Sequence, residues 1–264
     1  MTLCATILGC GSSGGVPRVG GDWGDCDPTN PRNRRRRCSL LIEAGKGDAK
    51  TTVLIDTSPD MREQMLSANV THLDAVWYTH EHADHTHGID EVRGYFLSQR
   101  NRIPVWADAA TASMLKTRFA YCVTQAPGSD YPPILDLKTI HPQRELDAGG
   151  KGGTITGLPF EVQHGNINAL GFRVGNLAYT PDVNDIPKES LEALTGLDVW
   201  IVDALRPKPH ISHFSLPETL AWIERLKPKR AVLTNMHIDL DYGTLKAELP
   251  KHVEPAFDGM RLEF

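Results

Sequence analysis

Tyr78-Thr79-His80-Glu81-His82-Ala83-Asp84-His85 is the stretch on which the reading of this chain turns. It sets His80, His82, Asp84 and His85 within six positions, directly after the apolar run Ala75-Val76-Trp77-Tyr78, and Gly88 follows. Imidazole is the commonest ligand for zinc-like ions, and carboxylate oxygen is its usual partner. The spacing differs from His-Glu-x-x-His, in which two histidines share one helix face at i and i+4. His80 and His82 are two apart, which suits an extended segment with both side chains on one side. The pattern therefore predicts a buried strand that delivers ligands at its carboxyl end and passes into a loop. Asp84 and His85 turn away there, toward a second ion.

Other apolar runs end in the same way. Thr52–Ile55 ends at Asp56, Leu177–Pro181 at Asp182, Val199–Val202 at Asp203, and Ala231–Met236 at His237. His164 follows the short strand-like segment before it. Runs of β-branched and aromatic residues bounded by turn residues read as buried strands. Their shared endings predict that their carboxyl ends gather at one sheet edge, where α/β proteins commonly build sites. Helical signals lie between them. Ser58-Pro59 followed by early acids predicts a helix through Leu66, Ala109–Ala120 has amphipathic spacing, and Ser215-Leu216-Pro217-Glu218 opens a third helix. The order of elements implies a layered α/β sandwich in a single domain over residues 1–264.

A His-x-His-x-Asp-His run after a short apolar strand resembles the metallo-β-lactamase superfamily. That resemblance implies an αββα fold, two mixed β-sheets face to face with helices outside. It also implies two divalent ions, zinc or manganese, with iron allowed by the donor set. His80, His82 and His164 would hold the first ion, Asp84, His85 and His237 the second, and Asp182 would bridge them. Five histidines and two aspartates match the phosphodiesterase branch. The opening Gly9-Cys10-Gly11-Ser12-Ser13-Gly14-Gly15-Val16-Pro17 resembles that of enzymes cleaving phosphoribosyl cyclic phosphate in phosphonate breakdown, and more distantly the tRNA 3′-processing endonucleases.

The resemblance implies hydrolysis of a phosphodiester, a small cyclic phosphate or a nucleotide, by a metal-bridging hydroxide. Asp84 then counts as catalytic as well as a ligand. His213, in His210-Ile211-Ser212-His213-Phe214, would be the general acid, because a sugar alkoxide leaves poorly without a proton. His210 competes for that role. Ser12, Ser13, Arg37 and His213 are the expected substrate contacts. Arg37 ends the charge run Arg34–Arg37, whose other members are expected to meet solvent or Asp22, Asp25 and Asp27. Asp56 and Asp203 are read as carboxylates that orient histidines. Two alternatives stay open: a thioester or lactone hydrolase of the glyoxalase type, and a non-catalytic metal-binding accessory protein of the same fold.

Bulk properties narrow the partners. The chain has 264 residues, 40% of them hydrophobic, and a net charge of −5. That charge argues against long nucleic acid and leaves a small-molecule substrate, with a homodimer open. Met1–Gly9 lacks a basic start and a long apolar stretch, so no secretory signal is expected, and no apolar run along the sequence is long enough to predict a membrane span. The five cysteines form no Cys-x-x-Cys pair, which favours the cytoplasm over an oxidising compartment. The phosphonate-pathway relatives carry a structural zinc on a Cys-rich loop. Here Cys26 stands alone, and Asp239 and Asp241 follow His237, so that site is expected to be rebuilt as polar contacts.

Overall fold

The computed structural model describes residues 3–264. The first sheet is built from β1 (Leu3–Gly9), β2 (Ser39–Lys46), β3 (Ala49–Ile55), β4 (Ala75–Trp77), β5 (Ile103–Ala107) and β6 (Leu135–Thr139). The second contains β7 (Leu146–Gly150), β8 (Gly153–His164), β9 (Ile167–Val174), β10 (Leu177–Thr180), β11 (Val199–Asp203), β12 (Arg230–Thr234) and β13 (Val253–Pro255). The last strand, β14 (Met260–Glu263), returns to the first sheet beside β1. Each sheet has seven strands and is mixed. In the first, β14, β1, β2 and β3 run antiparallel, and β3 to β6 run parallel. In the second, β7 to β10 run antiparallel and β10 to β13 parallel.

Alternation along the strands explains the layering. Val53 and Ile55 of β3 face the core between the sheets, with Trp77, Phe160, Phe172 and Trp200. Leu54, between them, faces a second core with Met61, Met65, Val92 and Leu115. A strand apolar on both faces must be covered on both, and helices supply the outer cover. Trp77 stacks on Phe172 with ring centroids 5.5 Å apart. Gly157 makes room for it: a Cβ there would lie 2.4 Å from the indole ring.

The outer helices are α1 (Met61–Ser67), α2 (Ala83–Thr86), α3 (Arg93–Gln99), α4 (Ala109–Arg118), α5 (Ala120–Val123), α6 (Leu216–Leu226) and α7 (Tyr242–Glu248). The capping box of α6 is present as the sequence predicts, with Ser215 and Glu218 bonded reciprocally. α1 begins later than expected. The Ser58 hydroxyl donates to Gln64 instead and accepts from the Asp60 amide, so Asp60 takes the cap position. The histidine loop also differs from expectation. Residues 83–86 form one helical turn, so Asp84 and His85 project from α2 while His82 stays extended at its start. No described helix is long and apolar enough to cross a membrane.

Candidate functional site: a buried histidine–aspartate cluster

Parallel register brings the strand endings together. Thr180, Val202 and Leu233 lie side by side across β10, β11 and β12, so Asp182, Asp203 and His237 emerge at one edge. In the other sheet, Ile55 pairs with Trp77, which sets Asp56 beside the chain leading to His80. The glycine-rich loop after β1 joins the two edges, where the Met236 amide donates to the Cys10 carbonyl at 2.9 Å and the Ser12 amide to the Met236 carbonyl at 3.3 Å.

His80, His82, His164 and Asp182 offer ligand atoms that all lie within 4.8 Å of one another. Asp182 Oδ2 is 3.6 Å from His164 Nε2 and 3.9 Å from His80 Nε2. Its other oxygen, Oδ1, is 3.1 Å from His85 Nε2, which in turn is 3.5 Å from Asp84 Oδ2. One carboxylate therefore faces both ligand groups. His237 lines the same cleft, but its Nε2 meets the Arg18 guanidinium, and its Nδ1 lies 2.9 Å from Asp239 Oδ2.

The donor set fits divalent cations. His80 Nε2, His85 Nε2 and Asp182 Oδ1 are buried and have no hydrogen-bond partner. Buried polar atoms are normally satisfied, and three that converge call for a bound group. Each ring is turned to present one nitrogen. His85 Nδ1 donates to Asp56 Oδ2 at 2.7 Å, and His164 Nδ1 to the Ser212 carbonyl at 2.6 Å, which leaves each Nε2 with its lone pair. Asp56 is pinned in turn by the Thr79 amide at 2.8 Å and hydroxyl at 2.7 Å. Its φ of 65° lies in the left-handed region, which Asp tolerates better than most residues.

Charge in the cluster points the same way. Burial, then the neighbouring His85, push His80 well below the usual imidazole range, and burial lowers His164. Both shifts favour the neutral ring that a ligand must offer. Burial would lower His85 too, but Asp182, Asp84 and Asp56 together hold it well above its ordinary value. Three carboxylates around one imidazole form an anionic pocket suited to a cation.

His213 belongs to a different arrangement. Its Nδ1 lies 2.8 Å from Asp203 Oδ2, and its ring centroid is 4.6 Å from that of His164. Asp203 also accepts from the Val183 amide at 3.0 Å and from Asn235 Nδ2 at 3.2 Å. Burial opposes protonation of His213, but ion pairing and hydrogen bonding with Asp203 raise its pKa to about 9. His210, at 5.2 Å between centroids, shifts downward through burial and then through the positive charge of His213, Arg206 and His237.

The cleft has a volume of about 480 Å³. Ser12, Ser13, His82, Asp84, His164, Asp182, His213 and His237 line it, and His80 and His85 sit beneath. Arg37 does not line it. Gly9 and Gly11 let the arginine segment pack directly on the glycine loop, since a Cβ on Gly9 would lie 2.0 Å from the Arg37 carbonyl. Arg37 bonds Asp60 at 2.8 Å and Arg36 bonds Asp258 at 3.0 Å, not the aspartates at 22, 25 and 27 that the sequence suggested. Arg35 is buried, donating to the Leu240 carbonyl at 2.6 Å and the His237 carbonyl at 3.2 Å. Cys26 contacts the same loop, bonding the Ile238 and Leu240 carbonyls at 3.4 Å, so this region is held by polar contacts. The arginines lining the cleft are Arg18 and Arg206. Sequence reasoning missed both, although Arg18 ends the glycine-rich motif and Arg206 lies between the Asp203 strand ending and His213.

A family model described as a beta-lactamase superfamily domain matches residues 51–238. The chain belongs to the metallo-β-lactamase superfamily. Within the superfamily it resembles a protein described as a new diphosphatase from the PhnP family, at 35% identity and a TM-score of 0.88, covering 100% of this chain and 98% of that one. Zinc-bound PqqB from Methylobacterium extorquens shares the fold at a TM-score of 0.74 and 16% identity, covering 99% of this chain and 100% of that one. The chain is also 32% identical over 259 residues to an octanoyltransferase of Porphyromonas gingivalis (strain ATCC BAA-308 / W83), covering 96% of this chain. It spans about half the length of that relative, 50%.

Proposed function

We propose that this chain is a metal-dependent hydrolase of phosphodiester or diphosphate bonds, acting on a small cyclic phosphate or nucleotide. The observation that carries the reading is the Asp203–His213 pair beside the donor cluster, with Nδ1 held at 2.8 Å. Hydrolysis at phosphorus with a poor leaving group needs both electrostatic stabilisation and a proton donor, and the two lie in one cleft. His80, His82, His164 and Asp182 would hold one divalent ion, and Asp84, His85, His237 and Asp182 a second. Such ions, when bound, supply an activated water and neutralise charge on phosphoryl oxygens.

The chain's own residues do the rest. Asp56 and the Ser212 carbonyl bond Nδ1 of His85 and His164, which leaves each Nε2 free to hold an ion. Asp203 fixes Nδ1 of His213 and favours its protonated form, so Nε2 is the atom that gives up a proton to the departing oxygen. His210 shifts in the opposite direction, which favours His213 as the acid. Ser12 and Ser13 line the wall on the glycine-loop side and would bond phosphoryl oxygens. The likeness to a diphosphatase supports chemistry at phosphorus. An octanoyl chain is a poor fit, because among the described residues Leu205 is the only large apolar side chain lining the cleft.

The test is the leaving-group dependence of His213→Ala. The p-nitrophenolate of bis-p-nitrophenyl phosphate departs without help, so activity on that substrate should fall little. A 2′,3′-cyclic nucleotide should lose about 10²–10⁴-fold, the usual contribution of general acid catalysis. Equal losses on both would remove His213 from that role. Turnover of a thioester or lactone without any phosphodiester cleavage would overturn the reading itself.

A further inference from the structure

One member of the arginine run is explained neither by solvent nor by an acid. Arg35 is the only buried lysine or arginine among the described residues, at 2% exposure. Its neighbours Arg36 and Arg37 pair with Asp258 and Asp60, but no ion pair among the described residues includes Arg35. A buried charge is costly unless the groups around it match it. The groups that match this one belong to the segment that carries His237.

Arg35 Nη2 donates to the Leu240 carbonyl at 2.6 Å and to Asn33 Oδ1 at 3.2 Å, and Nη1 donates to the His237 carbonyl at 3.2 Å. Asn33 Nδ2 donates in turn to Asp241 Oδ2 at 2.6 Å, so a neutral amide links the guanidinium to a carboxylate. The Ile238 carbonyl accepts from the Asp25 amide at 2.9 Å. Residues 25–35 therefore hold the segment 237–241 at several points. The main chain of Arg35 is itself fixed, because it exchanges both hydrogen bonds with Val16, at 2.8 and 2.9 Å.

This clamp bears on one metal ligand. His237 lies beyond the end of β12. Its amide donates to the Leu205 carbonyl at 2.9 Å, and its Nδ1 lies 2.9 Å from Asp239 Oδ2. Arg35 grips the carbonyls of residues 237 and 240, on either side of Asp239, the residue that orients the ring. His85 and His164 are held by other groups, Asp56 and the Ser212 carbonyl.

We propose that Arg35 is a positioning residue for His237, and that its clamp on residues 237–240 sets the affinity of the chain for its second divalent ion. The inference rests on the two-ion reading above. It goes beyond that reading by giving a side chain outside the cleft control over one ion and not the other.

The test is calorimetric titration of the metal-stripped protein with Mn²⁺, raised far enough to fill a weakened site. Wild type, Arg35→Met, His237→Ala and the double variant are compared, with circular dichroism to confirm the fold. Arg35→Met should weaken the second ion by about 10–100-fold, the usual effect of losing a group that orients a ligand, and leave the first unchanged. A merely structural role would weaken both ions or neither. In the His237→Ala background, Arg35→Met should weaken the second ion no further, because it acts through His237. Arg35→Lys should give a smaller loss of the same ion, since the charge stays and the fork that spans two carbonyls goes. That variant carries the comparison if Arg35→Met does not fold. Unchanged affinity for the second ion, equal loss of both ions, or a further loss in the His237→Ala background would overturn the proposal. His237→Ala binding both ions as the wild type does would instead remove His237 from the ligand set, and the proposal with it.

Discussion

Replacing Asp203 by Asn keeps the shape of the side chain and removes its charge. The carboxylate bonds three partners, His213 Nδ1 at 2.8 Å, the Val183 amide at 3.0 Å and Asn235 Nδ2 at 3.2 Å. The amide oxygen can keep the first two, while its NH2 then faces Asn235. The main loss is the support of protonated His213, whose pKa in the fold is about 9. A histidine raised above its unfolded value of about 6.5 contributes stability that is complete below that value and disappears as pH rises through the folded pKa. At about pH 7.5, with about 1.4 kcal/mol per pH unit up to about 9, that contribution is about 2 kcal/mol. Urea unfolding of metal-stripped wild type and Asp203→Asn measures it without interference from bound ions. Raising the pH from about 7.5 to about 10 should shift the difference between the two by about 2 kcal/mol in favour of the variant, whichever is the more stable at the start. A gap that stays constant across this range would refute the ion pair. With metals restored, Asp203→Asn should show the same leaving-group dependence as His213→Ala.

Two other substitutions probe how the ligands are held. Asp56→Ala frees the ring of His85 and should weaken one divalent ion by about 10–100-fold, the usual effect of losing an outer carboxylate, as read by competition with a metal-chelating dye. Arg35→Met removes three buried hydrogen bonds, to the Leu240 and His237 carbonyls and the Asn33 side-chain oxygen, at 2.6, 3.2 and 3.2 Å. At about 1 kcal/mol per hydrogen bond lost, urea unfolding should show a loss of about 3 kcal/mol, and a loss below about 1 would mean the loop repacks freely.

The fold was legible because its strands announce themselves twice, by apolar runs and by what ends them. Asp56, Asp182, Asp203 and His237 each follow such a run, and parallel register carries the last three to one edge. His164 stood out less, since only the fold brings it to the cluster, where it lies 3.1 Å from His82 between ring nitrogens although 82 residues separate the two in sequence. The arginines were misread for a physical reason. A run of like charge suggests solvent or substrate, but Gly9 and Gly11 let the backbone of residues 35–37 press against the loop, and local acids took up Arg36 and Arg37. Arg206 was missed because a lone arginine between two candidate residues makes no pattern, and only the folded loop shows it held at the cleft by the Lys208 and Pro209 carbonyls.

In the function proposed above, seven side chains assemble a site for two divalent ions that drives chemistry at phosphorus. The most direct measurement is calorimetric titration of the metal-stripped chain with Mn²⁺, with bis-p-nitrophenyl phosphate cleavage followed at each addition. Two ions per chain should bind, activity should rise with occupancy of the second, and Asp182→Ala should abolish both responses. Saturation at one ion, or two ions bound with no cleavage at any occupancy, would contradict the account.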